Sequence, residues 1–144
     1  MFGLNFLFCL RQMICAFLLG VASNAAWAVD ISFQSPSGNI RCDMSRDAPL
    51  AVRCDLGVER QSYTNRPESC DGVWGTSFGL GQTGTAQLIC VTGADLTSEG
   101  RAVLPYGSRA ILDGITCRSE PSGVICVNIA GNGFEVRRAQ QRMF

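Results

Sequence analysis

Two neighbouring segments decide the fold: GNIRCDM at Gly38–Met44 and AVRCDL at Ala51–Leu56. In each, apolar and charged residues alternate, which is the pattern of a half-buried strand. We place Cys42 opposite Cys54 in an antiparallel pair joined by a disulfide. The same register sets an arginine opposite an aspartate on either side, Arg41 with Asp55 and Asp43 with Arg53, and a one-residue shift would lose both pairs. The predicted core-facing side chains are Ile40, Met44, Val52 and Leu56.

A second hairpin is predicted in GITCRSEPSGVICVN, at Gly114–Asn128. Placing Cys117 opposite Cys126 leaves Glu120–Gly123 as the turn, with proline second and glycine fourth, as β-turns favour. Opposed Cα atoms in such a pair lie about 4.5 Å apart, close enough for a disulfide. We therefore predict a Cys117–Cys126 bridge.

A third reversal is predicted at Asn132–Gly133, because Asn-Gly between apolar runs is a strong signal for a two-residue hairpin. In this arrangement one apolar face contains Val127, Ile129, Phe134 and Val136. The arginines that follow form a basic cluster, which we interpret as a solvated terminal helix or tail: Arg137, Arg138 and Arg142.

Short apolar runs separated by glycine, proline, serine and asparagine, with no long helical stripe, predict an all-β fold. We expect a small antiparallel sandwich or barrel of short hairpins. If the first two bridges form, Cys70 pairs with Cys90, which makes three disulfides. Trp74 and Phe78, inside that loop, are predicted core anchors.

The start of the 144-residue chain, Met1–Ala28, has the features of a Sec-type signal peptide. An apolar run, Met13–Ala22, follows the single charged residue Arg11, and AWA at Ala26–Ala28 fits the small-residue cleavage rule. The run is shorter than the roughly 20 residues of a membrane span. We predict cleavage after Ala28, with translation starting at Met1 or Met13.

The remaining residues, 29–144, are predicted to form a single disulfide-rich domain, periplasmic or secreted, with no stable membrane anchor after cleavage. Six of the eight cysteines lie in this part, and the chain has no histidine. Their wide spacing argues against a zinc site, and we predict neither a metal nor a cofactor. Twelve basic residues balance twelve acidic residues, so we expect no nucleic-acid partner.

Two glycine-rich motifs resemble active-site signatures. GTSFG at Gly75–Gly79 matches the nucleophile elbow, which requires a histidine base and a large α/β sheet. GLGQTG at Gly79–Gly84 matches the dinucleotide fingerprint, but no helix fits before Cys90. Because neither motif has its required context, we predict that the protein is not an enzyme, that Gly79–Gly84 is a flexible loop and that Gly75–Gly84 as a whole is a Gly-rich loop.

Five segments occur together along the mature chain: FQSPSGNIRC (Phe33–Cys42), VRCD (Val52–Asp55), GITC (Gly114–Cys117), GVIC (Gly123–Cys126) and GFEVRR (Gly133–Arg138). In combination they resemble a family of small exported bacterial proteins classified as a domain of unknown function. The resemblance extends over roughly Phe33–Phe144. It implies a secreted, Cys-rich β domain and supplies no activity, ligand or catalytic residue.

The leading hypothesis is a non-enzymatic binding or inhibitor-type domain of the cell envelope, because rigid scaffolds present binding residues on their loops. The candidate contacts are Ser119, Glu120, Pro121, Ser122 and Gly123 in one loop and Thr76, Ser77, Gln82 and Thr83 in another. The partner is unknown. A more specific form of this hypothesis is that the domain inhibits a lysozyme, by fold-level analogy. The alternatives are a structural or stress-related envelope protein without a discrete site, and a carboxylate-based hydrolase of envelope polymers.

Overall fold

A computed structural model describes residues 29–92 and 99–144, so the predicted signal peptide lies outside the described residues. The first sheet contains β1 (Ile31–Gln34), β2 (Ile40–Met44), β3 (Val52–Leu56), β4 (Ser77–Leu80), β5 (Gln87–Leu88) and β6 (Ala102–Val103). The second contains β7 (Arg109–Leu112), β8 (Ile115–Glu120), β9 (Gly123–Val127), β10 (Gly133–Arg137) and β11 (Gln140–Met143). None of the described segments forms a helix that is long and apolar enough to cross a membrane.

The strand order is β5-β4-β3-β2-β1-β6 in the first sheet and β11-β10-β9-β8-β7 in the second. Neighbouring strands are antiparallel except β1 and β6, which run parallel. The two sheets share one buried core, in which the rings of Phe78 and Phe134 lie 5.9 Å apart between centroids. The predicted all-β, disulfide-stabilised fold is therefore confirmed as a sandwich.

The β2–β3 register is as predicted, with Cys42 opposite Cys54 and the two charge pairs flanking them. The Cα atoms of Cys42 and Cys54 are 4.1 Å apart and joined by a disulfide. The second hairpin also has its predicted register, and its bridge, Cys117–Cys126, has a Cα separation of 4.0 Å. Both hairpin predictions are confirmed, including the four core-facing side chains of the first.

The ion pairs around the first bridge differ from the prediction. Arg53 pairs with Asp55 two residues along its own strand, at 2.8 Å, and Arg101 pairs with Asp43 at 2.6 Å. The carboxylate of Asp55 is also buried, because β4 brings Ser77 opposite it and the Ser77 hydroxyl donates to Asp55. The two partners of Asp55, Arg53 and Ser77, therefore lie in its own sheet and not on β2.

The third bridge, Cys70–Cys90, is confirmed, with a Cα separation of 5.6 Å. Phe78 is fully buried, as a core anchor should be. Trp74 is only half-buried, so its prediction as a core anchor is wrong. It lies in the irregular segment between β3 and β4, where the indole lines a shallow surface depression of about 260 Å³.

The β9–β10 hairpin forms, but its turn is not at Asn132–Gly133, because Gly133 already belongs to β10. The Asn128 side chain organises the loop instead: its Oδ1 accepts from the backbone N–H groups of Ala130 and Asn132. Ile129 is 74% exposed at the loop tip. The predicted common apolar face is wrong, since Val127 and Ile129 do not join Phe134 and Val136 in the core.

The C-terminal arginines lie in a β-hairpin, so the predicted solvated helix or tail is wrong. Arg137 ends β10 opposite Gln140 of β11, and Arg142 lies opposite Glu135. The segment after β3 covers the outer edge of β11. There Gln141 N donates to Ser62 Oγ, and Met143 N donates to the Tyr63 hydroxyl.

Candidate functional site

Three hairpin turns meet at one end of the sandwich and surround a cleft of about 400 Å³, which we call the turn cleft. One turn comes from each of the pairs β1–β2, β8–β9 and β10–β11, and Tyr106 closes a further side. The residues that line the turn cleft are Ser35, Ser37, Asn39, Ile40, Tyr106, Glu120, Pro121, Ser122, Gly123, Arg137, Arg138 and Ala139.

The β1–β2 turn is held by serine hydroxyls and one glycine. Ser35 Oγ accepts from the backbone N–H of Ile40 at 3.2 Å and lies 3.1 Å from Ser37 Oγ. Gly38, whose N–H donates to the Ser35 carbonyl, has a φ of 69°, a left-handed conformation that glycine adopts at no steric cost. The turn therefore holds two hydroxyl groups beside the cleft, that of the buried Ser35 and that of the exposed Ser37.

The β8–β9 turn contains only Pro121 and Ser122, both exposed, between the paired residues Glu120 and Gly123. Proline at this position fixes its own φ, and the Cys117–Cys126 bridge holds the hairpin below the turn. A Cβ atom on Gly123 would collide with the Val136 carbonyl, so glycine is needed where β9 approaches β10.

The β10–β11 turn is anchored from outside by the segment after β3. The carbonyl of Arg138 accepts from the backbone N–H groups of Glu59 and Arg60, at 2.8 and 3.0 Å. The Arg138 side chain remains more than half exposed, and its guanidinium lies 3.9 Å from the Glu59 carboxylate. Its position at the cleft is thus set by the backbone while its charged end stays accessible.

The charges at the turn cleft are two guanidinium groups and one carboxylate. Glu120 pairs with Arg118 at 2.6 Å, and Arg137 pairs with Glu135. Burial alone raises the pKa of Glu135, but hydrogen bonds and charge from Arg137 and Arg142 outweigh it and hold that pKa below its ordinary value. Among the lining residues themselves, the two arginines outnumber the one glutamate, and each of the three is ion-paired.

The predicted contact loops lie at opposite ends of the sandwich and do not form one site. Four residues of the first loop line the turn cleft: Glu120, Pro121, Ser122 and Gly123. Ser119 does not line it, since its side chain is fully buried in β8. Gln82 and Thr83 are exposed near the β9–β10 loop, where Asn128 Nδ2 donates to the carbonyls of Gly81 and Gly84.

The prediction of a Gly-rich loop at Gly75–Gly84 is wrong over Ser77–Leu80, which forms the fully buried strand β4, and the flexible loop predicted at Gly79–Gly84 is therefore wrong at its first two residues. Ser77 is at 0% exposure and donates its hydroxyl to Asp55, so it presents no nucleophile at a surface. Thr76 is half-buried and its carbonyl accepts from Leu56 N. Neither of these two predicted contact residues belongs to an exposed loop.

Each carboxylate of the described residues is either paired with arginine or exposed. The paired ones are Asp30, Asp43, Asp55, Glu59, Asp113, Glu120 and Glu135, and the others are Asp47, Glu68, Asp71 and Glu99. A two-carboxylate hydrolase needs two such groups flanking one bond, within roughly 10 Å of each other. The turn cleft supplies Glu120 alone among its described lining residues.

Within the described part of the chain, no group of three or more acidic, histidine or cysteine side chains could hold a metal ion.

Sequence reasoning missed eight of the twelve residues that line the turn cleft. The residues added by the structure come from the β1–β2 hairpin, from the segment between β6 and β7 and from the β10–β11 hairpin: Ser35, Ser37, Asn39, Ile40, Tyr106, Arg137, Arg138 and Ala139. One signal was available in the sequence. At Ser37–Gly38 and again at Ser122–Gly123, a Ser-Gly dipeptide comes directly before a strand that contains a cysteine. Both of these turns border the same cleft.

Comparison with protein families gives one match. A model described as "Family of unknown function (DUF6636)" matches residues 13–144. No curated protein and no solved structure matches the chain. The match confirms the resemblance to a family of unknown function, and export of the protein stays a prediction, with which the three disulfides are consistent. The chain belongs to DUF6636, a family whose function is unknown.

Proposed function

We propose that the protein is an exported, non-enzymatic binding domain that engages a protein partner through the turn cleft. The observation that carries the proposal is the convergence of three short turns on one cleft. Binding residues concentrate on loops that a rigid framework positions. Here the β8–β9 turn stands on a disulfide-linked hairpin, and the β10–β11 turn is hydrogen-bonded to a neighbouring segment.

Rigidity of this kind favours binding because little conformational entropy is lost when the partner docks. Pro121 has a fixed φ, and the turn between Glu120 and Gly123 is the shortest that a hairpin allows. Such a turn can enter a groove on another protein with almost no ordering cost. The exposed tip, Pro121–Ser122, is therefore the part that we expect to insert.

The chemistry of the cleft indicates an acidic target. Arg138 is exposed, and guanidinium groups bind carboxylates through strong charge-assisted hydrogen bonds. Tyr106, 49% exposed, and Ser122 add hydroxyl donors beside it. A lysozyme active site contains two carboxylates in a groove, so it offers the groups that this surface would pair with. Inhibition of a lysozyme is accordingly the specific version of the proposal.

The test is an inhibition assay with the purified, oxidised protein against lysozymes of several classes. We expect inhibition at micromolar protein for at least one class, weakened tenfold or more by Arg138→Ala or by Tyr106→Ala. The matched control is Gln82→Ala together with Thr83→Ala, an exposed pair at the opposite end of the sandwich, which should leave inhibition unchanged. Thermal unfolding of each variant checks that it is folded.

Absence of inhibition in every class at micromolar protein discards the lysozyme version. The broader proposal is then tested by capture of periplasmic partners with a cross-linker placed at Ser122. If this recovers nothing reproducible above the same cross-linker at Gln82, a structural envelope protein without a discrete site is the better account.

A further inference from the structure

The outer face of the second sheet carries two ordered rows of side chains that run across its strands. One row, which we call the charged row, follows directly opposed residues from β7 to β11: Arg109, Arg118, Ile125, Glu135 and Arg142. The other, the apolar row, lies two residues further along each strand: Ile111, Thr116, Val127, Gly133 and Phe144. Neither row was recognisable in the sequence, since each draws its five residues from separate segments of the chain.

Phe144 completes the apolar row although it lies beyond β11. Its backbone pairs with Gly133 through two hydrogen bonds, Gly133 N to Phe144 O at 2.8 Å and the reverse at 3.0 Å. A Cβ atom on Gly133 would lie 3.0 Å from the Phe144 ring, so the ring covers the glycine on the outer face. The Arg142 guanidinium lies 5.0 Å from the centre of the same ring, a cation–π distance that links the two rows.

This face leaves large apolar side chains in solvent. Ile111 is 61% exposed and Phe144 is 43% exposed, and Ile129, at the tip of the adjoining loop, is 74% exposed. Between the rows lies a groove of about 170 Å³, bordered by Arg109, Thr116, Arg118, Ile125 and Val127. Exposed apolar groups gathered on one surface and edged by polar residues mark interaction sites, and arginine and aromatic residues are enriched there.

The charged row indicates which groups a partner's surface should carry. Arg109 and Arg118 are directly opposed, an arrangement of like charges that destabilises a sheet pair when nothing neutralises it. Glu120 pairs with Arg118 at 2.6 Å, whereas Arg109 has no ion-pair partner within residues 29–92 and 99–144. A carboxylate from another molecule would give Arg109 the partner that Glu120 already gives Arg118.

We propose that the outer face of the second sheet docks a second protein, whose surface has an apolar centre and carboxylates opposite Arg109 and Arg118. A second copy of this chain fits less well: a two-fold dimer centred on Ile125 places Glu135 opposite Arg118, but it places Arg142 opposite Arg109, the guanidinium that needs a carboxylate. An anionic bilayer also fits less well, because Glu135 lies within the charged row and Glu120 beside it. This partner is independent of the one proposed for the turn cleft.

The experiment places a photo-cross-linking amino acid at Ile111 in the full chain, expressed in cells that produce and export it. The control carries the same group at Gln87, an exposed residue of β5 on the first sheet. We expect Ile111, and not Gln87, to cross-link one protein of a different sequence. No cross-link above the control, a cross-link to a second copy, or a cross-link to lipid overturns the proposal.

The captured protein is then purified and its Kd for the chain is measured. We expect Arg109→Glu with Arg118→Glu to weaken binding at least tenfold and to reduce its dependence on salt. The matched charge control is Arg60→Glu with Arg66→Glu, two exposed arginines of the segment after β3. Equal weakening by both pairs of substitutions overturns the charge assignment, and circular dichroism confirms that both variants are folded.

Discussion

The sulfur atoms of Cys54 and Cys126 lie 3.9 Å apart at the centre of the sandwich. Each belongs to a cross-strand disulfide of its own sheet, and all four cysteines of these two bridges are fully buried. The bridges thus pack against each other between the sheets. They act both as covalent links and as part of the core packing.

Because the central bridges also fill the core, we expect the loss of the Cys42–Cys54 bridge to destabilise the protein more than the loss of the Cys70–Cys90 bridge. Loop length alone predicts the opposite order. Cys42 and Cys54 are 12 residues apart and Cys70 and Cys90 are 20 apart, so chain entropy assigns slightly more stabilisation to the longer loop. Each bridge should contribute about 2–4 kcal/mol to the free energy of unfolding. Replacing the buried pair by alanine also leaves a cavity, which should cost about 1–2 kcal/mol more.

We therefore expect Cys42→Ala with Cys54→Ala to lower the free energy of unfolding by more than Cys70→Ala with Cys90→Ala. Guanidinium denaturation of both double variants measures the difference. Equal losses, or a larger loss for the second variant, would show that the central bridges contribute only as links.

The short distance between the sulfur atoms of Cys54 and Cys126 predicts that these residues can form a disulfide between the two sheets. In Cys42→Ala with Cys117→Ala, the remaining thiols of Cys54 and Cys126 face each other across the core. We expect slow oxidation of this variant to an inter-sheet Cys54–Cys126 disulfide, detected by non-reducing peptide mapping. Persistent free thiols after air oxidation would mean that the sheets do not approach closely enough in solution.

We expect removal of the buried Asp55 carboxylate to lower the free energy of unfolding substantially. It accepts two hydrogen bonds from Arg53, at 2.8 and 2.9 Å, and another from Ser77. Asp55→Ala would leave the buried Ser77 hydroxyl without its acceptor and Arg53 without its partner, at a cost of about 2–3 kcal/mol. Asp47→Ala, at an exposed position, should change the free energy of unfolding by less than about 0.5 kcal/mol. Urea denaturation at pH 7 compares the two.

Glu135 predicts a loss of stability in acid. Its pKa is lowered in the folded protein by Arg137 and Arg142, whose effect exceeds that of burial. A carboxylate with a lowered folded pKa adds stability that is complete above its unfolded value, near 4.5. That stability is lost as the pH falls below 4.5 and through the folded pKa.

The measurement compares Tm from pH 7 to pH 2 for the protein and for Glu135→Gln. We expect the variant to be less stable at pH 7 and the difference to shrink below pH 4.5. Glu68→Gln, at an exposed glutamate, should follow the unsubstituted protein throughout. A constant difference across the range would argue against titration of Glu135.

The two disulfide hairpins could be predicted because all their determinants are local. The register of Cys42 with Cys54 follows from residues within one short segment, where alternation, charge and cysteine position agree. The parallel pairing of β1 with β6 joins residues that are about 70 positions apart, Phe33 with Ala102, and no local pattern encodes it. The path from the first sheet to the second was for this reason not predictable.

The turn cleft was only partly predictable for the same reason. Glu120–Gly123 was recognised as a turn, but Ser35, Tyr106 and Arg138 reach it from three other parts of the chain. At the opposite end, the Asn-Gly signal at Asn132 was outweighed by Asn128, whose side chain accepts two backbone hydrogen bonds in the loop. A single side chain that satisfies two donors determines a turn more strongly than the preference of a dipeptide.

The covering of β11 by the segment after β3 affects how the protein behaves when many copies are crowded together. An uncovered outer strand offers unpaired backbone groups to any extended chain and so seeds aggregation. Ser62 and Tyr63 occupy this edge with their own hydrogen bonds to Gln141 and Met143. Neighbouring copies therefore cannot add strands at β11, which blocks fibre growth from that side of the molecule.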